Sequence, residues 1–140
     1  MSGFLLDTNC ISELVRIKPD SNVAAWIEDA EESLLYLSVL TLGEIRKGLA
    51  SLPQGKRRSQ LETWLEVELH ARFSGRILRL MLPSPIDGDC SADAKAKDKP
   101  IATIDALLAA TAIQHDLTLV SRKVGDFAHI PVQVLNPWEP

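Results

Sequence analysis

Four acidic residues lie where elements of the predicted fold begin or end, and they are the side chains best suited to chemistry. Asp7 directly follows a short apolar strand, and Glu44 lies just past a second strand. Asp105 stands near the start of a helix, and Asp126 follows a later strand in a short loop. Ligands of open α/β sheets bind outside the carboxyl ends of the strands. We therefore expect Asp7, Glu44 and Asp126 to meet at one edge of a sheet, and Asp105 to join them if its helix begins at that edge.

Acids that converge in this way need a cation. Carboxylates brought together repel one another, and a divalent metal ion between them removes the repulsion. Hard oxygen ligands suit Mg²⁺ or Mn²⁺, and such an ion can polarise a phosphoryl oxygen and activate a bound water. The three histidines are scattered, and no cysteine–histidine pair has the spacing of a zinc site. The acids thus indicate a magnesium or manganese site that acts on phosphodiesters.

Each acid also has a purely structural interpretation. Asp7 fits the cap of the helix after it, and Thr41-x-x-Glu44 matches a capping box. Asp105 suits a helix N-terminus through the helix dipole, and Asp126 suits a turn. The recurrence of acids after successive strands favours a shared site over four separate explanations.

The composition is that of one globular domain. The chain has 140 residues, of which 46% are apolar and 24% charged, and this excludes a disordered or collagen-like chain. No apolar run is long enough to span a membrane, and the N-terminus lacks the basic region of a signal peptide. The two cysteines do not form a disulfide framework. We expect a cytoplasmic protein with a single domain over residues 1–140.

The net charge argues against nucleic-acid binding by phosphate neutralisation alone. It is 15 − 19 = −4, whereas proteins that bind through phosphate contacts are usually basic. A metal ion held by the acids would resolve this conflict, because it bridges acidic side chains and phosphate. Three short basic clusters could hold the rest of a polymer, although they fit solvated helix ends equally well: Arg46-Lys47, Lys56-Arg57-Arg58 and Arg122-Lys123.

Strands and helices alternate along the chain, which predicts an α/β fold with a mainly parallel sheet. The predicted elements follow from apolar periodicity and from proline positions. Strands are expected at 4–6, 34–40, 77–78, 117–120 and 132–135, and helices at 11–17, 22–31, 41–52, 56–73 and 101–115.

Several stretches in order carry a recognisable pattern. They are Leu5-Leu6-Asp7-Thr8-Asn9, then residues 37–48, 104–112 and 118–122, then Asp126-Phe127 and Leu135-Asn136-Pro137-Trp138. Together they resemble a PIN domain over nearly the whole chain. The chain is similar to the VapC toxins of bacterial toxin–antitoxin pairs, including their FitB-like branch.

The resemblance implies an α/β/α sandwich with a mainly parallel central sheet and a homodimer. It implies an endoribonuclease that depends on Mg²⁺ or Mn²⁺ and cuts RNA. It also implies a cognate VapB-like antitoxin, encoded alongside, whose tail blocks the site. Operator DNA is then contacted only through the antitoxin.

The resemblance also assigns roles to residues of this chain. Asp7, Glu44 and Asp105 fall on the catalytic metal-binding acids of the family, with Asp126 as the candidate fourth. Thr8 and Asn9 fall on the polar turn beside the first acid, and with Arg46 and Arg122 they are candidates for substrate binding.

Lys123 departs from the family pattern. The family often has asparagine or aspartate at this position, whereas a charged lysine cannot coordinate a metal. Lys123 would weaken a second metal position or contact phosphate instead.

Residues 79–92 depart further. The family has a helix there, but Pro83, Pro85 and Gly88 oppose one. With plausible third bases, another reading frame gives Pro-Leu-Asp-Ala-Ala-Ile-Ala-Asp-Arg-Trp-Gly-Leu-Leu-Ser, which matches the family's helix. This requires one base lost near Arg79 and one gained near Ala92. A compensating pair of frameshifts is our hypothesis, and a divergent loop is the alternative.

Two other functions fit parts of the pattern. A phospho-acceptor receiver domain also gathers acids and a lysine at the carboxyl edge of a parallel sheet, but it needs two adjacent acids after its first strand. Here Asp7-Thr8-Asn9 supplies one. A catalytically impaired PIN domain that only binds a partner is the other alternative.

Overall fold

The computed structural model describes residues 3–79 and 103–139, and their centre is a parallel sheet of five strands. The strand order across the sheet is β3-β2-β1-β4-β5, and every neighbouring pair is parallel. The strands are β1 (Phe4–Leu6), β2 (Leu35–Ser38), β3 (Ile77–Leu78), β4 (Thr118–Val120) and β5 (Val134–Leu135). The predicted α/β fold with a mainly parallel sheet is confirmed.

Helices connect the strands and cover both faces of the sheet. The described helices are α1 (Thr8–Glu13), α2 (Ser21–Asp29), α3 (Val39–Ala50), α4 (Lys56–Thr63), α5 (His70–Arg72) and α6 (Thr103–Gln114). A π-helical segment, Trp64–Leu69, joins α4 and α5 into one long helix. No helix in these two described ranges is long and apolar enough to cross a membrane.

The central strand β1 contributes to two cores because consecutive side chains point to opposite faces. Leu6 packs with residues of α1 to α4, including Ile11, while Leu5 packs with Leu108 of α6. Leu5 and Leu6 are both fully buried. The sequence of a strand that is covered on both faces is a continuous apolar run, and this is why β1 could be predicted from the sequence.

The chain reverses direction across the sheet at β1. From β1 it builds outward through β2 and β3, and it then returns to the other side of β1 to form β4 and β5. Such a reversal leaves a crevice at the carboxyl ends of the two adjacent strands, where ligands bind in open α/β sheets. The flavodoxin-like order 2-1-3-4-5 is not the one found, which argues against the receiver-domain alternative.

Helix α3 begins earlier than predicted. The apolar run 34–40 was expected to be strand throughout, but β2 ends at Ser38 and α3 starts at Val39. The Ser38 hydroxyl caps the helix by accepting a hydrogen bond from the Leu40 N–H at 3.0 Å. The capping box at Thr41-x-x-Glu44 is therefore wrong, because Thr41 already lies within the first turn.

The atypical segment 79–92 lies outside the described residues except for Arg79. The frameshift hypothesis stays a prediction, and sequencing the DNA of this stretch tests it.

Candidate active site

Asp7 lies at the reversal point of the sheet. Its N–H donates to the carbonyl of Val120, the last residue of β4, at 2.9 Å. Its carboxylate is nearly completely buried, with 1% of the residue exposed. Oδ1 accepts the Thr8 N–H at 2.6 Å and so caps α1. The capping interpretation of Asp7 is thus confirmed, and it leaves Oδ2 available for other contacts.

Ser121 holds that second oxygen. Its hydroxyl, fully buried directly after β4, donates to Asp7 Oδ2 at 2.7 Å. The same hydroxyl accepts the Lys123 N–H at 3.0 Å and the Asn9 side-chain amide at 3.3 Å. Ser121 therefore joins the ends of β1 and β4. Sequence reasoning did not single it out, although a hydroxyl residue directly after the strand beside β1 was the available signal.

Glu44 approaches from the second turn of α3 and is half-buried. The Thr8 hydroxyl donates to its Oε1 at 2.5 Å. Its charge also raises the pKa of Asp7, after the larger effect of burial. Thr8 thus holds Glu44 next to the Asp7 turn, and its predicted role in substrate binding stays a prediction.

Asp105 and Lys123 form an ion pair across the site. Asp105 lies in the first turn of α6 and is 5% exposed. The ammonium of Lys123 is 3.4 Å from Oδ1 and 3.5 Å from Oδ2 of Asp105. About 43% of the Lys123 side chain is exposed, so the pair is open to solvent on the lysine side.

Burial dominates the electrostatics of the two innermost acids. It raises the pKa of Asp7, against the lowering effect of the Ser121 hydrogen bond. Burial also raises the pKa of Asp105, partly offset by the charge of Lys123. For Lys123, burial lowers the pKa, but the charges of Asp105 and Asp7 outweigh it and leave the pKa above its usual value. The three groups thus share one electrostatic environment.

Asp126 is the outermost of the four acids. It is exposed on a 3₁₀ turn, Val124–Phe127, which is anchored by the buried ring of Phe127. Its charge contributes to the raised pKa of Asp105, as a smaller effect than burial. Asp126 therefore faces the same cluster from its rim.

The two arginines predicted to bind substrate already have protein partners. Arg46 is paired with Glu66, with 2.8 Å between the guanidinium and the carboxylate. Arg122 stacks over the ring of Trp138 at 4.3 Å and lies 3.9 Å from the buried carboxylate of Glu13. Both arginine side chains are more than half exposed, so they lie on the surface beside the site rather than within the acid cluster.

The donor set fits a hard divalent cation by its chemistry. It consists of carboxylate oxygens at the end of β1, in the second turn of α3 and in the first turn of α6. Beside them, the buried amide oxygen of Asn9 has no hydrogen-bond partner in the described part of the chain. Among residues 3–79 and 103–139, no three His, Cys, Asp or Glu side chains are grouped closely enough to hold one metal ion. Instead, the ammonium of Lys123 lies among the acids.

Comparison with known proteins identifies a family model and several relatives that agree with one another. The PIN-domain family model matches residues 4–132. VapC ribonuclease Y4jK of Sinorhizobium fredii is 40% identical over 97% of this chain and 98% of its own length. Toxin FitB of Neisseria gonorrhoeae is 42% identical over 96% of this chain and 97% of its own.

Solved structures agree with these sequence matches. The crystal structure of FitAcB from Neisseria gonorrhoeae superposes with a TM-score of 0.91 at 40% identity, over 98% of this chain and 99% of that one. A structure of FitAB bound to a DNA fragment gives the same TM-score at 39% identity, over 98% of this chain and 96% of that one. The family model matches most of this chain, and the two relatives are at least 40% identical to it over nearly the whole of both chains. The chain therefore belongs to the PIN-domain family.

Proposed function

We propose that this protein is the toxin of a type II toxin–antitoxin pair and an endoribonuclease that depends on Mg²⁺ or Mn²⁺. The observation that carries the proposal is the pair of buried acids Asp7 and Asp105, which act on each other electrostatically at the reversal point of a parallel sheet, with Glu44 held beside Asp7 by the Thr8 hydroxyl. The printed names of the relatives, a VapC ribonuclease and toxin FitB, support the same activity. Hydrolysis of RNA would inhibit translation or growth.

Asp7, Glu44, Asp105 and Asp126 are the residues that would hold the metal. The metal, when bound, polarises a phosphoryl oxygen and makes a bound water a better nucleophile. Ser121 and the Thr8 N–H fix the Asp7 carboxylate in one orientation. The Thr8 hydroxyl fixes Glu44. Ligands held by such outer partners bind a metal with less reorganisation.

The antitoxin would be a VapB-like protein whose tail covers the site. A groove of about 250 Å³ runs between α1, α3 and the long helix and reaches Thr8 and Glu44. Its wall is largely apolar, from side chains that include Val15, Ile45, Leu52 and Trp64. An amphipathic peptide in this groove would reach Glu44 directly. In this proposal the toxin forms a homodimer and contacts operator DNA only through the antitoxin.

A cleavage assay tests the nuclease. The protein is purified with the product of the neighbouring gene, separated from it, and incubated with total RNA and Mg²⁺ or Mn²⁺. We expect cleavage that stops in EDTA and that is lost in Asp7→Ala and Asp105→Asn. Asp29→Ala, at the exposed end of α2, serves as the matched control and keeps activity. Cleavage that persists in EDTA contradicts the metal-dependent mechanism.

A second candidate function is a PIN domain that binds its partner without cutting RNA. The observation that favours it is the Lys123 ammonium within 3.5 Å of both Asp105 oxygens. Calorimetric titration with Mn²⁺ separates the two functions. If the protein binds the antitoxin but neither binds Mn²⁺ nor cleaves RNA, it is a PIN domain that only binds its partner.

A further inference from the structure

The Lys123 side chain is held in the acid cluster from both of its ends. Its backbone N–H donates to the buried hydroxyl of Ser121, which also holds Asp7. Its ammonium contacts both oxygens of Asp105. The residue therefore spans the distance between the end of β4 and the start of α6, and its position follows from two separate hydrogen bonds.

The Lys123 ammonium offsets part of the negative charge of the carboxylates around it. Asp7 and Asp105 are 1% and 5% exposed, and Glu44 adds a third carboxylate within electrostatic reach of Asp7. Of the described cations, Lys123 is the one whose ammonium contacts Asp105. Buried carboxylates without a cation repel one another strongly. Lys123 thus supplies within the chain a positive charge at a position that a metal ion would otherwise fill.

We propose that the Lys123 ammonium is a built-in competitor of the divalent metal, so that a metal ion gains full access to Asp105 only when this side chain swings out. The proposal rests on the metal-dependent function proposed above. The exposed lysine side of the pair makes the movement possible, since 43% of the side chain already contacts solvent. Wild-type protein consequently binds metal more weakly than its acids alone would, and in the absence of metal its acids keep one cation among them.

Isothermal titration calorimetry with Mn²⁺ as the probe tests this competition. The full-length protein is compared with Lys123→Met, which removes the charge at similar length, and with Lys123→Arg, which keeps it. Lys18→Met, at an exposed loop position, controls for the change in net charge. We expect Lys123→Met to bind Mn²⁺ about tenfold more tightly or better. Lys123→Arg and Lys18→Met should remain within about twofold of wild type.

Thermal unfolding provides a second readout. In EDTA, Lys123→Met should unfold at a lower temperature than wild type, because its carboxylates have lost their counter-ion. In saturating Mn²⁺ the unfolding temperature of Lys123→Met should rise by more than that of wild type. A structural role alone would lower stability in both conditions and leave the metal affinity unchanged.

If Lys123→Met binds Mn²⁺ no more tightly than wild type does, the proposed competition is wrong. It is also wrong if Lys18→Met raises the Mn²⁺ affinity as much as Lys123→Met does. If wild type and Lys123→Met bind Mn²⁺ equally and both cut RNA, the competition fails while the nuclease function stands. If neither protein binds Mn²⁺ nor cuts RNA, both proposals fail.

Discussion

The Ser121 hydroxyl offers the sharpest test of how the site is held together. It donates to the buried Asp7 carboxylate at 2.7 Å and accepts the Lys123 N–H at 3.0 Å. Ser121→Ala removes both of these bonds, and also the bond that the hydroxyl accepts from the Asn9 side-chain amide at 3.3 Å. Asp7 Oδ2 then keeps a contact with the Asn9 amide at 3.5 Å, and the Lys123 N–H loses the acceptor it has in the wild type.

The size of the loss follows from the groups involved. A hydrogen bond to a charged group contributes about 1.5–3 kcal/mol, and a buried donor left without an acceptor costs about 1–3 kcal/mol. Because Ser121 is fully buried, water cannot easily replace its hydroxyl. We expect Ser121→Ala to lower the free energy of unfolding by about 2–4 kcal/mol. With a urea m-value of about 1–3 kcal/mol/M, the unfolding midpoint should fall by about 0.7–4 M.

Ser38→Ala is the matched control. Ser38 is also fully buried and is the last residue of a strand, β2, but its hydroxyl only caps a helix by accepting one N–H. Loss of such a cap costs about 1 kcal/mol. Urea unfolding followed by circular dichroism at 222 nm, in EDTA and at pH 7.5, compares the two variants with wild type.

The difference between the variants should also depend on pH. The Ser121 hydrogen bond lowers the pKa of Asp7, while burial, the larger effect, raises it. The bond therefore stabilises the ionised carboxylate, and its loss costs less once Asp7 is protonated at acidic pH. If Ser121→Ala destabilises the protein no more than Ser38→Ala does at pH 7.5, the joining of β1 and β4 through this hydroxyl is refuted.

Three further predictions concern the neighbours of Ser121. Because burial raises the pKa of Asp7, the folded state gains stability from its protonation that is complete below pH 3.8 and is lost as the pH rises through the raised pKa. Asp7→Asn should therefore raise the unfolding free energy at pH 7 by about 0.5–2 kcal/mol while abolishing RNA cleavage; a less stable variant in urea unfolding contradicts this. Thr8→Val removes the hydroxyl that positions Glu44 and should reduce metal-dependent cleavage about 10–100-fold, whereas Thr8→Ser should keep most of it in the same assay. Arg122→Ala removes the stacking on Trp138 and should lower the unfolding free energy by about 0.5–1 kcal/mol, and an unchanged urea midpoint would show that the stacking contributes nothing.

The sequence was sufficient to predict the strands that carry the site. Phe4–Leu6 and Thr118–Val120 are short apolar runs buried on both faces of the sheet, and each ends at a polar residue that turns the chain. The position of Asp7 followed from this pattern and from the rule that parallel strands have their carboxyl ends at one edge. Asp105 lies in the first turn of a helix, so its place in the site depended on that helix beginning at the same edge.

The start of α3 and the role of Ser121 were not predictable in the same way. The run 34–40 is continuously apolar, and periodicity alone cannot separate a buried strand from the first turn of a buried helix. Ser38 caps this helix, but a single serine in an apolar run is a weak signal. Ser121 depends on a contact with Asp7 across 114 residues, which no local pattern reveals.

The pairing of β1 with β4 has a consequence for synthesis of the protein. At about 5–20 residues per second, roughly 10 s separate translation of Asp7 from that of Ser121. A nascent chain that ends before residue 118 already contains Asp7, Glu44 and Asp105, but its first strand has no partner on the side of β4. A prematurely terminated product thus carries the acids without the hydroxyl and the strand that position them. In a protein proposed to act on RNA, this strand order means that the buried hydrogen bond to Asp7 forms only after β4 and Ser121 have been translated.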